Sequence, residues 1–151
     1  MLALKINNNA DVKTFMNKLL AENVFDFFEF REAVISSLIR FELYRERRKN
    51  DDTEETDDPT LWEKIRPYIF NIIKGGKKPK SMNIVFSFPT ERIAEIDGTA
   101  RALFLNIIFE GEGLLITTGR AAKSFSLDKA AEAAWDEYAE KLLKGMGIAF
   151  E

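Results

Sequence analysis

The chain has 151 residues, of which 46% are hydrophobic and 31% are charged, and it contains no histidine and no cysteine. This length supports one hydrophobic core, so we expect a single domain over residues 1–151. The two missing residue types exclude serine–histidine triads, cysteine nucleophiles and zinc sites built from cysteine and histidine. The formal net charge of −3 argues against nucleic-acid binding through bulk charge, although a local basic patch stays open.

The N-terminal part predicts a strand followed by a helix. Leu2, Leu4 and Ile6 alternate with other residues, as in a short strand, and three asparagines end it. Apolar residues at helical spacing predict a helix over residues 12–22, with Asp11 as its cap. No apolar stretch of the chain is long enough for a signal peptide or a membrane span, so we expect a cytoplasmic protein without membrane contact.

Residues 25–48 fit two kinds of secondary structure. Ile35, Phe41 and Leu43 alternate with polar residues, whereas Leu38, Phe41 and Tyr44 also suit one face of a helix. The many β-branched and aromatic residues favour strands.

A basic block followed by an acidic one predicts a mobile charged loop at about residues 46–58. The segment lacks the glycine and the alternating ligands of an EF-hand. A solvated loop is therefore favoured, and a site for a cation or a basic partner is the alternative.

The remaining elements are two helices and several strands. Residues 61–75 predict a helix that Pro67 kinks or splits. Strands are predicted at residues 82–88, 103–109 and 114–118, with one more at 122–126, and a short turn or helix at about 90–96. Ser126 is positioned to cap a last helix over residues 127–144. Successive strands joined by short turns indicate an α+β fold, an antiparallel sheet with helices on one face.

A basic turn is the most distinctive polar feature. Four lysines and two glycines fall within residues 74–80, at the end of a helix whose dipole favours cations there. The spacing does not match a phosphate-binding P-loop, so a solvated turn competes with a contact to nucleic acid or another anion. The candidate residues for such a contact are Lys13, Lys18, Lys64, Arg66, Lys74, Lys77, Lys78, Lys80 and Arg120.

Acidic residues recur every four positions on the last helix, at Asp128, Glu132, Asp136 and Glu140. They lie opposite the apolar face that contains Trp135, so a solvated row is favoured over paired catalytic carboxylates. We therefore expect no catalytic residues, no metal site and no cofactor, and we expect that the protein is not an enzyme.

Several segments resemble a family of uncharacterised bacterial proteins: MLALKI at 1–6, PYIFNIIKG at 67–75, LFLNI at 103–107 and FSLDK at 125–129, with AWD at 134–136. None of these segments is a catalytic signature, and the resemblance implies no established activity.

A second resemblance concerns the order of elements. A strand and helix over residues 2–22, a helix that ends in the basic turn, a strand, and a hairpin that leads into residues 119–127 are similar to one domain of a sliding DNA clamp, such as the bacterial polymerase III beta subunit. The resemblance implies a DNA-clamp-like topology, here with an extra C-terminal helix, in which the lysines of the helices face DNA. A ring would require several copies, that is, a homo-oligomer.

The leading hypothesis is a non-enzymatic binding or scaffolding module with a clamp-like fold that contacts DNA or a protein of replication. The alternative is a helix-grip-like protein that binds an apolar small ligand between the sheet and the last helix. The first needs lysines of two helices on one open face, and the second needs a cavity beside Trp135.

Overall fold

The computed structural model describes residues 1–45, 60–75, 79–111, 113–123, 130–148 and 150. The predicted loop at residues 46–58 and the predicted cap Ser126 lie outside this part of the chain. The elements, in chain order, are β1 (Ala3–Ile6), α1 (Asn9–Leu20), β2 (Glu29–Ser36), β3 (Arg40–Tyr44), α2 (Trp62–Gly75), β4 (Ser81–Ser87), a 3₁₀ turn (Thr90–Arg92), α3 (Ile93–Ile96), β5 (Ala100–Glu110), β6 (Gly113–Ala122) and α4 (Ala130–Lys144).

The six strands form one antiparallel sheet in the order β1-β6-β5-β4-β2-β3. One row of paired residues crosses the whole sheet on its core side: Ile6, Leu114, Phe109, Met82, Ile35 and Phe41. All of them are buried except Phe41 on the edge strand β3. The helices pack on this side, which confirms the predicted α+β class with helices on one face.

Aromatic rings fill the space between the sheet and helices α1 and α2. Phe28 stacks on Phe86 with ring centroids 5.4 Å apart, and Trp62 meets the same ring edge-on at 5.0 Å. The indole Nε1 of Trp62 donates a hydrogen bond of 3.0 Å to the carbonyl oxygen of Leu19. The bond joins α2 to α1, because a buried indole N–H needs an acceptor.

The prediction that Asp11 caps α1 is wrong. The side chain of Asn8 accepts a hydrogen bond of 2.8 Å from the backbone N–H of Ala10, and Asp11 lies inside the first turn. The asparagines that end β1 therefore also begin the helix. Since Asn and Asp are both good caps, the sequence could not say which of the neighbouring candidates is used.

Pro67 does not split α2, which is continuous from Trp62 to Gly75. Proline removes one backbone donor, here the partner of the Glu63 carbonyl oxygen. Both residues are exposed, so water can satisfy that oxygen. β6 runs without a break to Ala122, and residues 124–126 of the strand predicted at 122–126 lie outside the described part of the chain.

Candidate binding surfaces

The basic residues singled out by the sequence fall into three groups. The exposed ones are Lys13, Lys64, Lys74 and Lys80. Those engaged in ion pairs with acidic side chains are Lys18, Arg66 and Arg120. Lys77 and Lys78 lie outside the described residues.

Arg66 is held by a bidentate ion pair with Asp26. Its Nε and Nη2 atoms lie 2.8 and 2.9 Å from the two carboxylate oxygens. The hydrogen bonds to Asp26 raise the pKa of Arg66 above its ordinary value. This fork-to-fork geometry fixes α2 to the segment that precedes β2, so the guanidinium has a structural partner already.

Arg120 is similarly engaged, with Nε 2.7 Å from a carboxylate oxygen of Asp97. The Asp97 side chain is 0% exposed, and its other oxygen accepts hydrogen bonds from the backbone N–H and the hydroxyl of Thr99, at 2.9 and 2.6 Å. Burial acts to raise the pKa of Asp97, but the hydrogen bonds from Arg120 and Thr99 outweigh it and lower that pKa. Arg120 thus stabilises a buried carboxylate.

Helical geometry gives the relative directions of the basic residues on α1 and on α2. An α-helix turns by about 100° per residue, so Lys13 and Lys18 lie about 140° apart, on the two flanks of α1. On α2, Lys64 and Arg66 lie about 160° apart, whereas Lys64 and Lys74 share the solvent side at about 80°. Helical geometry thus places Lys64 and Lys74 on one side of α2.

The last helix closes the core beside α3. Trp135 is buried, its Nε1 donates to the carbonyl oxygen of Phe104 at 3.0 Å, and its ring lies 5.4 Å from Phe88. The side chain of Trp135 is therefore part of the core between the sheet and α4. In the predicted row of acids, Asp136 accepts a hydrogen bond from the hydroxyl of Thr118.

The solvent side of α4 carries a shallow depression of about 520 Å³. Its lining includes two ion pairs, Lys141 with Glu137 at 3.7 Å and Lys144 with Glu140 at 2.6 Å. These are exposed i,i+4 pairs on a single helix, which is the ordinary surface of a solvated helix.

A surface that the sequence analysis missed lies on the other side of the sheet. We define the open sheet face as the side chains that point away from the helices. Two rows of paired residues cross all six strands there: Lys5, Leu115, Ile108, Asn83, Val34 and Glu42, and next to them Ala3, Thr117, Asn106, Val85, Glu32 and Tyr44. The helices of the described chain all pack on the opposite side.

The central strands of the open sheet face carry apolar and hydrogen-bonding side chains side by side, as Ile108 next to Asn83 and Val85 next to Asn106 show. Arg31 places its guanidinium 5.6 Å from the centre of the Phe104 ring, and its Nε donates to the hydroxyl of Ser87 at 3.0 Å. The Asn106 amide donates to the hydroxyl of Thr117 at 3.1 Å. The apolar side chains between these polar groups make the face a candidate contact surface, because a partner would remove their surface from water.

One signal in the sequence could have revealed this face. An antiparallel strand with one solvated side normally alternates apolar and polar residues. Residues 103–109 of β5, however, are apolar at every position except Asn106. Because the helices pack on only one side of the sheet, this run leaves apolar side chains on the side that the helices do not cover.

Fold and surfaces together define an α+β protein whose six-stranded antiparallel sheet is covered by helices on one side. The sequence profile of DUF5721, described as a family of unknown function, matches residues 18–151, and the chain belongs to this family. Searches of the curated proteins and of the solved structures found no significant match, so the likeness to a sliding clamp gains no support from them. Among the described residues, no helix combines the length and apolar character needed to cross a bilayer.

Proposed function

We propose that this chain is a non-enzymatic binding or scaffolding module that uses the open sheet face to contact a protein partner. The observation that carries the proposal is the run of apolar residues in β5, which leaves Phe104 and Ile108 on the uncovered side of the central strands. Both side chains are only partly buried within this chain. Covering them with a partner would add hydrophobic free energy of about 25 cal/mol per Å².

The polar groups of the described residues support a non-enzymatic role. The buried carboxylate of Glu29 accepts hydrogen bonds from the N–H and the hydroxyl of Thr90, at 2.9 and 3.2 Å. Asp97 is satisfied by Thr99 and Arg120. Acids that already accept from fixed internal donors are poorly placed to exchange protons with a substrate, because the internal donors hold the carboxylate oxygens.

DNA binding is a second candidate, favoured by the exposed lysines on the helical side. Lys13, Lys64 and Lys74 are exposed on the two helices that, in the clamp resemblance, would face DNA. Binding of this kind rests on phosphate contacts, so its affinity would be independent of sequence and would fall steeply as salt is raised.

Two variants on opposite sides of the molecule separate these candidates. Ile108→Glu places a charge in the middle of the open sheet face. The triple variant Lys13→Glu, Lys64→Glu, Lys74→Glu reverses three charges on the helical side. Affinity capture from a lysate of the source organism and titration with duplex DNA at two salt concentrations give the readouts. Thermal unfolding of each variant shows whether it is folded.

We expect Ile108→Glu to lose the captured partner and the triple lysine variant to keep it. Salt-dependent DNA binding that disappears in the triple lysine variant would favour the DNA candidate. Capture that survives Ile108→Glu in a folded protein, and fails in the lysine variant, would overturn the proposal that the sheet face is the contact surface.

A further inference from the structure

We infer that the partner of the open sheet face is a second copy of this chain, packed face to face as a two-fold symmetric dimer in which Lys5 meets Glu42 of the second copy. The inference rests on the proposed use of this face and names its occupant. It follows from the order of charges along one row of the sheet.

A two-fold axis parallel to the strands, through the middle of the face, places β1 of one copy over β3 of the other. In the same way β6 lies over β2, and β5 over β4. Along the row that begins at Lys5, Lys5 then meets Glu42, Leu115 meets Val34, and Ile108 meets Asn83. An isologous contact requires a surface that is complementary to itself. The first pair fulfils that condition in charge and the second in apolar character.

The charges of the face are distributed as this arrangement requires. Lys5 is exposed on the edge strand β1, and Glu42 on the opposite edge strand β3 has a side chain that is 45% exposed. One oxygen of Glu42 already accepts from Nε of Arg40 at 2.9 Å, which orients the carboxylate. In the neighbouring row, Glu32 meets the hydroxyl of Thr117, so the arrangement opposes no like charges in these two rows.

The size of the face suits a weak but specific dimer. Six strands about 4.8 Å apart and two rows about 6.8 Å apart give each copy a contact area of roughly 400 Å². Two copies would therefore bury about 800 Å² in total, which is the size of a weak contact. Packed sheets usually cross at about 30°, so the two-fold axis would lie about 15° from the mean strand direction, and the long Lys5 and Glu42 side chains can span the resulting offset at the edges. We expect a dimer that dissociates on dilution in the micromolar range.

The test is a charge-reversal cycle measured by sedimentation equilibrium. Lys5→Glu and Glu42→Lys should each weaken the dimer about tenfold, because each breaks two symmetric ion pairs and opposes like charges. The double variant should recover most of that loss, since it restores both pairs in reverse, and the effect of Arg40 cancels in the cycle. Lys64→Glu makes the same charge change on the helical side and should leave the dimer unchanged.

A wild-type chain that is monomeric at every concentration would overturn the inference, as would a double variant weaker than both single ones. The proposed function is tested separately, by capture of a partner. If the chain is monomeric but Ile108→Glu still abolishes capture of a partner, the sheet face is a contact surface for a different protein. If the chain dimerises and Ile108→Glu does not weaken the dimer, the dimer uses another surface and the inference is wrong. If Ile108→Glu also leaves capture of a partner intact, the proposed function is wrong as well.

Discussion

Asp97 is the residue in which burial and charge oppose each other most directly. Its side chain is fully buried, yet it accepts hydrogen bonds from Thr99 and forms an ion pair with Arg120. A buried carboxylate of this kind is tolerated because its partners replace the hydration that it loses. The pair joins the segment after α3 to strand β6, and so the anion-binding role predicted for Arg120 competes with this structural one.

Asp97→Asn should destabilise the fold by about 1–3 kcal/mol, because it leaves a partly buried guanidinium without its countercharge. Urea denaturation at neutral pH measures the change. Glu137→Gln, which removes an exposed carboxylate from an i,i+4 pair, is the matched control and should stay within about 0.5 kcal/mol. A loss no larger than that of the control would show that the Asp97–Arg120 pair contributes little.

Asp97 also determines the direction in which the stability of the fold changes with pH. The pKa of Asp97 is lowered in the folded state, so the unfolded chain binds the proton more readily at acidic pH. The stabilisation is complete above the ordinary aspartate pKa of about 3.9 and is lost as pH falls through the lower folded value. The stability difference between wild type and Asp97→Asn should therefore shrink below about pH 4. A constant difference across that range would contradict the shift.

At the scale of elements, the sequence predicts those helices and strands whose apolar residues recur at a regular spacing. The apolar spacing of α1 and the alternation in β4 gave both elements correctly, because burial on one side requires those periods. The pairing of β1 with β6 could not be predicted, since it joins segments more than a hundred residues apart, as Ala3 opposite Thr117 shows. The open sheet face does not follow from the period of each strand, because that period marks only the side that is buried.

The N-terminus of α1 offers a direct test of the corrected cap. Asn8→Ala should cost about 1 kcal/mol, since it removes the acceptor for the Ala10 N–H. Asp11→Ala should cost less, about 0.3–0.5 kcal/mol, because only its interaction with the helix dipole is lost. Chemical denaturation of both variants compares them under the same conditions. A larger loss for Asp11→Ala would restore Asp11 as the cap.

At the scale of the whole molecule, the helices among the described residues cover one side of the sheet and leave the other side open. Helices and aromatic rings cover the first, and the row that ends in Lys5 and Glu42 crosses the second. The fold class followed from the order of elements along the sequence. The candidate contact surface did not follow from that order, because it depends on which strands become neighbours and on which side of the sheet the helices pack.

The absence of native cysteine makes this asymmetry measurable, because a single introduced thiol is the only one that an alkylating reagent can modify. Asn83→Cys places a thiol at an exposed position on the open sheet face, and Lys64→Cys places one on the helical side. Both variants can be alkylated in dilute solution, in concentrated solution and in cell lysate. The ratio of the two rates removes differences in reagent concentration.

If the open sheet face is the contact surface, alkylation at position 83 slows by about tenfold, relative to position 64, when the chain is concentrated or returned to lysate. Such a change corresponds to a partner that covers the thiol most of the time. Equal protection at both positions, or protection at position 64 alone, would contradict the assignment of the open sheet face as the binding surface.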